Sequence, residues 1–310
     1  LVTTAGFRDL LTLGRGERLD LYAIQAPPRA SLVKPENCFE VEERLDSKGQ
    51  VLIPLAGQPC HQLARTLVQK GIAHVAVCLL FSYLNPEHEL QLSSILKSYG
   101  LQVSLSHEID PQPKEYERAS TTVLQAYVSP SLDRYLVNLE LQLEGCQLWI
   151  VRSSGSVCRP AEAIQKAVGC LLSGPAAGLS GAWHLAQRLQ LPRILTLDVG
   201  GTSSDVALCD GELPFLEQSE VAGIPFRCPQ VDIHTVGAGG GSIAYRDSTG
   251  LLRVGPQSAG SKPGPAAYGQ GGPVTVSDAL LYLGRLPNHL AGGNLKLDLK
   301  ASALALETLA

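Results

Sequence analysis

Residues 72–80 read Ile-Ala-His-Val-Ala-Val-Cys-Leu-Leu, an almost unbroken apolar run. A run of that length predicts a strand buried on both faces, as in a parallel sheet covered by helices. Helical patterns flank it. Residues 58–70 gather Leu63, Leu67 and Val68 on one side and stop at Gly71. After Pro86 a second pattern carries Leu90, Ile95 and Leu96 to Gly100, and residues 101–106 return as a strand. This β-α-β order predicts an α/β core. Upstream, residues 1–4 read as a strand end, 19–22 as strand-like before the break at Pro27-Pro28, and 38–44 as an alternating strand. Glu42 and Glu43 are expected on its solvated edge.

A long helical pattern follows over 114–143, with Val123, Leu124, Tyr127, Leu132, Tyr135, Leu136 and Leu139 as its expected buried stripe. Pro130 should kink this helix or break it in two. Residues 148–151 form a strand before the polar turn 153–156, and 161–171 a helix. Ser173-Gly-Pro-Ala-Ala-Gly178 then opens another helix to about 189, with Pro175 suited to its first turn. Residues 190–193 mark a boundary, which divides the chain into 1–190 and 191–310. Beyond it come short strands, glycine turns and hairpins. Residues 231–236 alternate as a strand into Gly237-Ala-Gly-Gly-Gly-Ser242, and 243–246 with 251–254 form a hairpin. Residues 255–273 are an ordered loop, Ser277-Asp278 is the expected cap of a helix ending at 283, and the chain from 297 is helical.

The second segment opens on the stretch with the clearest chemistry, residues 194–211. Ile194, Leu195 and Leu197 lead to Asp198, and Gly200 and Gly201 follow. Without a Cβ these glycines can turn their N–H groups to an open face. Thr202, Ser203 and Ser204 add hydroxyls, Asp205 opens a returning strand, and Asp210-Gly211 is a hairpin signal. Consecutive amides and hydroxyls favour an anion such as phosphate. Flanking carboxylates repel that anion unless a hard cation such as Mg²⁺ lies between. A metal-bound phosphate suits this loop, and a tight structural hairpin is the rival reading. Asp232 and His234, at i, i+2, share a strand face and are candidate substrate or general-base residues. Lys262 and Arg118, as single charges, are expected at the surface or in salt bridges.

Length and composition narrow the class. At 310 residues, 45% apolar and 17% charged, the chain is an ordered globule of about two domains. A formal charge of −4 gives no reason to expect nucleic acid. No apolar run reaches the length of a membrane span; the longest, 72–81, contains His74. Eight cysteines without C-x-x-C spacing fit buried free thiols in a reducing compartment, hence the cytoplasm. Met is absent throughout, including position 1, so the sequence is expected to be a fragment. There is no Gly-Lys dipeptide and so no P-loop, and G-x-G-x-x-G, G-x-S-x-G and H-E-x-x-H are also missing. Any nucleotide must be held by hairpin loops.

Asp198-Val-Gly-Gly-Thr-Ser-Ser-Asp205 resembles the phosphate-loop motif of the hydantoinase A/5-oxoprolinase family, in the actin-like, sugar-kinase-like ATPase superfamily. The resemblance runs in order along most of the chain. It takes in residues 1–9, Glu115-Tyr-Glu-Arg-Ala-Ser-Thr-Thr122, Leu172-Ser-Gly-Pro-Ala-Ala-Gly178, 231–242, Ser258-Ala-Gly-Ser-Lys-Pro-Gly-Pro265, Tyr268-Gly-Gln-Gly-Gly272, 277–279 and Leu283-Gly-Arg-Leu286. Ser153-Ser-Gly-Ser156 departs from the family's usual Ser-Asn-Gly-Gly. The family's first Asp-x-Gly-Gly-Thr hairpin is expected before Leu1, and its closing segment after the final helix.

The resemblance implies a two-lobed actin-like (ribonuclease H-like) α/β fold, with mixed sheets, β-hairpin phosphate loops and flanking helices. Residues 1–190 would be the rest of the first lobe with an inserted α/β subdomain, and 191–310 the second lobe. It implies ATP and Mg²⁺ as cofactors. Asp198 and Asp205 would serve the metal, and Gly200, Gly201, Thr202 and Ser203 the phosphate. Gly237, Gly239, Gly240, Gly241 and Ser242 would contact nucleotide. The implied reaction is ATP-dependent opening of a small cyclic amide, 5-oxoproline or a hydantoin, by phosphorylating its carbonyl oxygen. The implied partners are a hydantoinase B-type subunit or fused domain, or further copies of the chain. A ketone carboxylase subunit of the same family, and an incomplete lobe acting through a partner, are the alternatives.

Overall fold

The computed structural model describes residues 1–16, 22, 24 and 31–310. The break at Pro27-Pro28, and all but Tyr22 of the strand expected at 19–22, lie outside the described residues. The chain forms two compact units: Leu1–Ala177 with Phe215–Val231, and Gly178–Pro214 with Asp232–Ala310.

In the first unit four parallel strands, β1 (Val2–Thr4), β2 (Phe39–Val41), β3 (His74–Cys78) and β4 (Gln102–Leu105), lie in the order β2-β1-β3-β4. Helices α1 (Gly57–Gln69), α2 (Glu87–Ser98) and α3 (Glu115–Gln142) supply the cover. The alternation of β3 decides which helix meets which face. Val75 and Val77 share a core with Leu67 of α1 and with Leu92 and Leu96 of α2. Ala76 and Cys78 pack with Ala119, Val123 and Ala126 of α3. The α/β core with a doubly covered parallel sheet, expected from residues 72–106, is present.

Helix α3 narrows one expectation and corrects another. Of the kink or break expected at Pro130, the break does not occur: the helix runs on from Glu115 to Gln142. Residues on both sides of the proline are anchored: Val123 and Leu124 in upstream clusters, Leu132, Leu136 and Leu139 in a downstream one. Their burial outweighs the missing hydrogen bond. Tyr127 and Tyr135, expected in the stripe, are exposed. At about 100° per residue Tyr127 stands opposite Leu136 around the helix, and Tyr135 about a quarter-turn from it.

A buried polar network closes the carboxyl ends of the parallel strands. Glu89 accepts from the Leu79 N–H and the Ser106 hydroxyl on one oxygen (3.0 and 2.6 Å), and from the His107 N–H on the other, with His107 Nδ1 at 2.6 Å. Glu43 accepts from the Thr4 hydroxyl and lies 2.7 Å from His88 Nδ1. Glu43 is thus buried while Glu42 is exposed. Arg118, also expected at the surface, is fully buried; it donates to the Leu79 and Gln112 carbonyls, and its Nε has no partner among the described residues. Where a parallel ladder ends, backbone groups still need partners, and these side chains provide them.

The hairpin of Phe215–Val221 and Ile224–Val231 belongs to this unit. Arg227 fastens it, 2.7 Å from Asp110 and donating to the Pro113 carbonyl at 2.8 Å. Burial pushes the Asp110 carboxyl up, against the pull of Arg227.

After α4 (Ser173–Arg188), the second unit holds a three-stranded antiparallel sheet. Its strands are β5 (Arg193–Val199), β6 (Ser204–Asp210) and β7 (His234–Val236), in the order β7-β6-β5. The hairpin β8 (Ser242–Arg246)–β9 (Leu252–Ser258) and helices α5 (Val276–Tyr282) and α6 (Leu299–Leu309) complete it. The expected cap of α5 shifts: Thr275 is the N-cap, and Asp278 closes a capping box three residues on. Among the described residues no helix is long and apolar enough to cross a membrane, and all eight cysteines are free.

Candidate functional site

The β5–β6 hairpin forms because two apolar strands flank a glycine–hydroxyl turn. Its register sets Asp198 directly opposite Asp205. On β7, Thr235 is the next partner along the same row, and its hydroxyl donates to Asp205 Oδ1 at 2.6 Å. Asp198 is exposed and Asp205 half-buried. Like charges directly opposed across strands destabilise a sheet, so a cation is the counter-charge this row could accept. Two carboxylates with open surroundings fit Mg²⁺, which keeps water and phosphate oxygens among its ligands. Among the described residues no group of three or more His, Cys, Asp or Glu side chains is arranged to hold a metal. The pair alone is no closed metal cage.

The Gly200 N–H donates to the Ser203 carbonyl at 2.9 Å and closes the turn. Beyond that bond, the amides of Gly201, Thr202 and Ser203 have no partner among the described residues, and neither do the Thr202 and Ser203 hydroxyls. The carbonyls of the turn are occupied from the other side. Gly200 O accepts from the Gly240 N–H at 2.9 Å, and Gly201 O from the Gly241 N–H at 2.6 Å. Carbonyls fixed on one side and amides left free on the other give a concave array of donors suited to an anion.

The stretch 237–242 acts as a strap on that turn. A Cβ on Gly239 would stand 2.7 Å from Gly200 O and 2.9 Å from Gly201 C. On Gly241 it would meet Gly201 O at 2.9 Å and Ser258 Oγ at 3.0 Å. Glycine is required here by close backbone approach. The Gly239 N–H donates to Ser242 Oγ at 2.8 Å, the Ser242 N–H to Gly239 O at 3.1 Å, and the Ser204 hydroxyl to Ala238 O at 2.5 Å. The amides of Gly239, Gly240, Gly241 and Ser242 are therefore all engaged within the protein. That of Gly237 has no partner among the described residues.

The fold thus brings together Asp198, Asp205, residues 200–203 and residues 239–242, but does not bring His234 to the same face. His234 pairs with Val206, one step from the Asp205–Thr235 pair, so its side chain leaves the opposite side of the sheet. Asp232 precedes β7, and its N–H donates to Pro214 O at 2.8 Å. Thr235, Ser258, Ser277 and Asp278 also touch or brace this assembly, and none of them is among the site residues expected from the sequence. The Ser277 N–H donates to Gly240 O at 2.7 Å. Thr235 adjoins His234 in the alternating stretch 231–236, and Ser258, Ser277 and Asp278 lie in segments that carried the family resemblance, the signals that could have flagged them.

Comparison with known proteins adds identity to this geometry. The family model described as Hydantoinase/oxoprolinase matches residues 118–310, and its N-terminal-region model matches residues 1–100. The caprolactamase subunit alpha of Pseudomonas jessenii is 34% identical, over 99% of this chain and 46% of its own length. The 5-oxoprolinase of Dictyostelium discoideum is 30% identical, over 100% of this chain and 28% of its own length. A nucleotide-free structure of acetone carboxylase, from a study of ATP-dependent acetone carboxylation, superposes with a TM-score of 0.83 at 28% identity, over 99% of this chain and 46% of that one. The chain spans about half the length of the curated relatives it matches, or less. With a family model covering more than half of its residues, the chain belongs to the hydantoinase/oxoprolinase family.

Proposed function

We propose that this chain supplies a phosphate-binding turn to an ATP-dependent enzyme that opens a small cyclic amide. The observation that carries the reading is the turn itself: three consecutive amides and two hydroxyls with no partner among the described residues, set between the opposed carboxylates Asp198 and Asp205. In this reading the amides of Gly201, Thr202 and Ser203 hold phosphate oxygens, and Asp198 and Asp205 hold Mg²⁺ directly or through its waters. Thr235 keeps Asp205 aimed by occupying one of its oxygens. Residues 239–242 hold the turn in shape, with Gly237 left to meet nucleotide. ATP, when bound, supplies the phosphoryl group that turns an amide carbonyl oxygen into a leaving group. Relatives named as caprolactamase and 5-oxoprolinase support a lactam or related ring as substrate.

The two-lobed actin-like arrangement, with residues 1–190 in the first lobe and 191–310 in the second, belongs to the same proposal. So do a hydantoinase B-type partner and a cytoplasmic setting, which eight unpaired cysteines support. Asp232 and His234 stay candidate substrate residues, His234 on the opposite side of the sheet from the carboxylates and Asp232 ahead of the strand. The likeness to acetone carboxylase favours one alternative, ATP-dependent carboxylation of a ketone.

ATP hydrolysis by the intact protein, with and without a B-type subunit, separates the readings. We expect stimulation by 5-oxoproline, hydantoin or caprolactam, and a loss of at least a hundredfold in Asp198→Ala. Stimulation only by a ketone with bicarbonate would select the carboxylase. No stimulation by any of these, with Asp198→Ala equal to wild type, would overturn both.

A further inference from the structure

We propose that Asp278 is a positioning residue for the phosphate turn, acting through the N-terminal turn of α5 on the glycine strap. The inference rests on the nucleotide reading of residues 200–203. Asp278 is fully buried, yet it is not paired with any cation among the described residues. Its charge is met by donors from three separate segments. Oδ2 accepts from the Thr275 N–H and hydroxyl, each at 2.8 Å, and from the Ala266 N–H at 3.3 Å; Oδ1 accepts from the Ala267 N–H at 2.7 Å and the Ser302 hydroxyl at 2.8 Å. A carboxylate with five donors fixes everything attached to it, because each bond to a charged acceptor is stronger than a neutral one.

What is attached leads to the turn. Thr275 is bridged to Ile243, and the Ala244 N–H donates to Val274 O at 2.9 Å, so the start of α5 is laced to β8. One residue before Asp278, the Ser277 N–H holds Gly240 O at 2.7 Å. Gly240 in turn donates to Gly200 O, and Gly241 to Gly201 O. The route from buried carboxylate to phosphate turn is therefore Asp278, the α5 turn, the Gly240 peptide and Gly200, each link a hydrogen bond or a chain neighbour. Moving the α5 turn moves both carbonyls that keep the amides of residues 201–203 facing outward. An asparagine has the same shape, but its NH₂ must confront backbone N–H groups whichever oxygen it replaces.

The test uses the intact protein and two readouts. One is affinity for a fluorescent ATP analogue with Mg²⁺, measured at a temperature where thermal melts show each variant folded. The other is amide hydrogen exchange over residues 236–245 without nucleotide. Asp278→Asn is expected to weaken the analogue at least tenfold and to speed exchange of the Gly240 and Gly241 amides at least tenfold. If Asp278→Asn fails to fold, Thr275→Val, which removes one donor to the carboxylate, should move both readouts in the same direction, and Thr275→Ser should restore them. Asp247→Asn, in the turn at the far end of the β8–β9 hairpin, should change neither. Unaltered exchange in Asp278→Asn or Thr275→Val, or equal losses in Asp247→Asn, would overturn the positioning role. If wild type binds no analogue, the nucleotide reading fails, while the exchange result still decides whether Asp278 sets the strap.

Discussion

Replacing Gly239 by alanine is the sharpest perturbation of the turn, because its consequences can be compared with the same change one residue later. At Gly239 the new methyl would stand 2.7 Å from Gly200 O, and the next two nearest atoms, Gly201 C and O at 2.9 Å, are also backbone. To reach an ordinary contact the strap must retreat by about 0.7 Å. That retreat stretches the Gly240–Gly200 and Gly241–Gly201 hydrogen bonds, now 2.9 and 2.6 Å. Overpacking costs about 1–3 kcal/mol and each of the two weakened bonds about 1 kcal/mol, so roughly 3–5 kcal/mol is expected in stability or in local order. A displacement near 1 Å at a reacting site can cost about a hundredfold in rate. At Gly240 the added methyl meets one close atom, Ser277 Oγ at 2.9 Å, with Gly200 O at an easy 3.8 Å. A hydroxyl can rotate where a carbonyl cannot. Gly240→Ala should therefore be mild, and Ser277→Ala in the same chain should relieve it. Binding of an ATP analogue and thermal unfolding of the intact protein measure both. Gly239→Ala that binds like wild type, or Gly240→Ala equally damaging and unrelieved by Ser277→Ala, would refute the strap.

Three further outcomes follow from the rest of the molecule. Glu89→Ala strips an acceptor from the Leu79 and His107 amides, the Ser106 hydroxyl and the His107 ring, and should cost about 3–5 kcal/mol in the denaturant midpoint of the first unit; a loss under about 1 kcal/mol would show that the network is not needed. The Thr249 hydroxyl, Arg253 and two backbone amides pull the Asp247 carboxyl down to about 2. A depressed carboxylate adds stability above its unfolded value and loses it as pH falls from 3.8 toward about 2, so Asp247→Asn should flatten that part of the stability profile; a carboxyl titration at the ordinary value in NMR would contradict it. Burial pushes the Cys78 thiol up to about 11, whereas Cys146 is exposed, so a thiol reagent at neutral pH should label Cys146 first and Cys78 only on unfolding. Early modification of Cys78 would mean the β3–α3 packing opens in the native state.

What the chain discloses in one dimension depends on how far apart the cooperating residues are. The parallel-sheet core was legible at 72–106, because strand, helix and stop signals repeat within a few residues of one another. The glycine–hydroxyl hairpin turn was legible for the same reason, since its two carboxylates, two glycines and hydroxyls all fall within 198–205. Arg118 and Glu43 were misplaced, because nothing local marks a charge that will close the end of a parallel strand supplied from elsewhere. Asp278 looked like a helix cap, and it is part of one, but its hold on Gly240 joins residues nearly forty positions apart. His234 shows the limit most clearly. Its pairing with Val206, and not with Asp205, is a matter of one residue of register, and in a strand one residue reverses the side. Periodicity put Asp232 and His234 on one face of a strand over 231–236, whereas the strand that pairs with β6 begins only at His234. Only the partner strand could say that the carboxylates and the imidazole look out from opposite faces, so in the proposed function the cation and phosphate would meet the Asp198–Asp205 row, on the side away from His234.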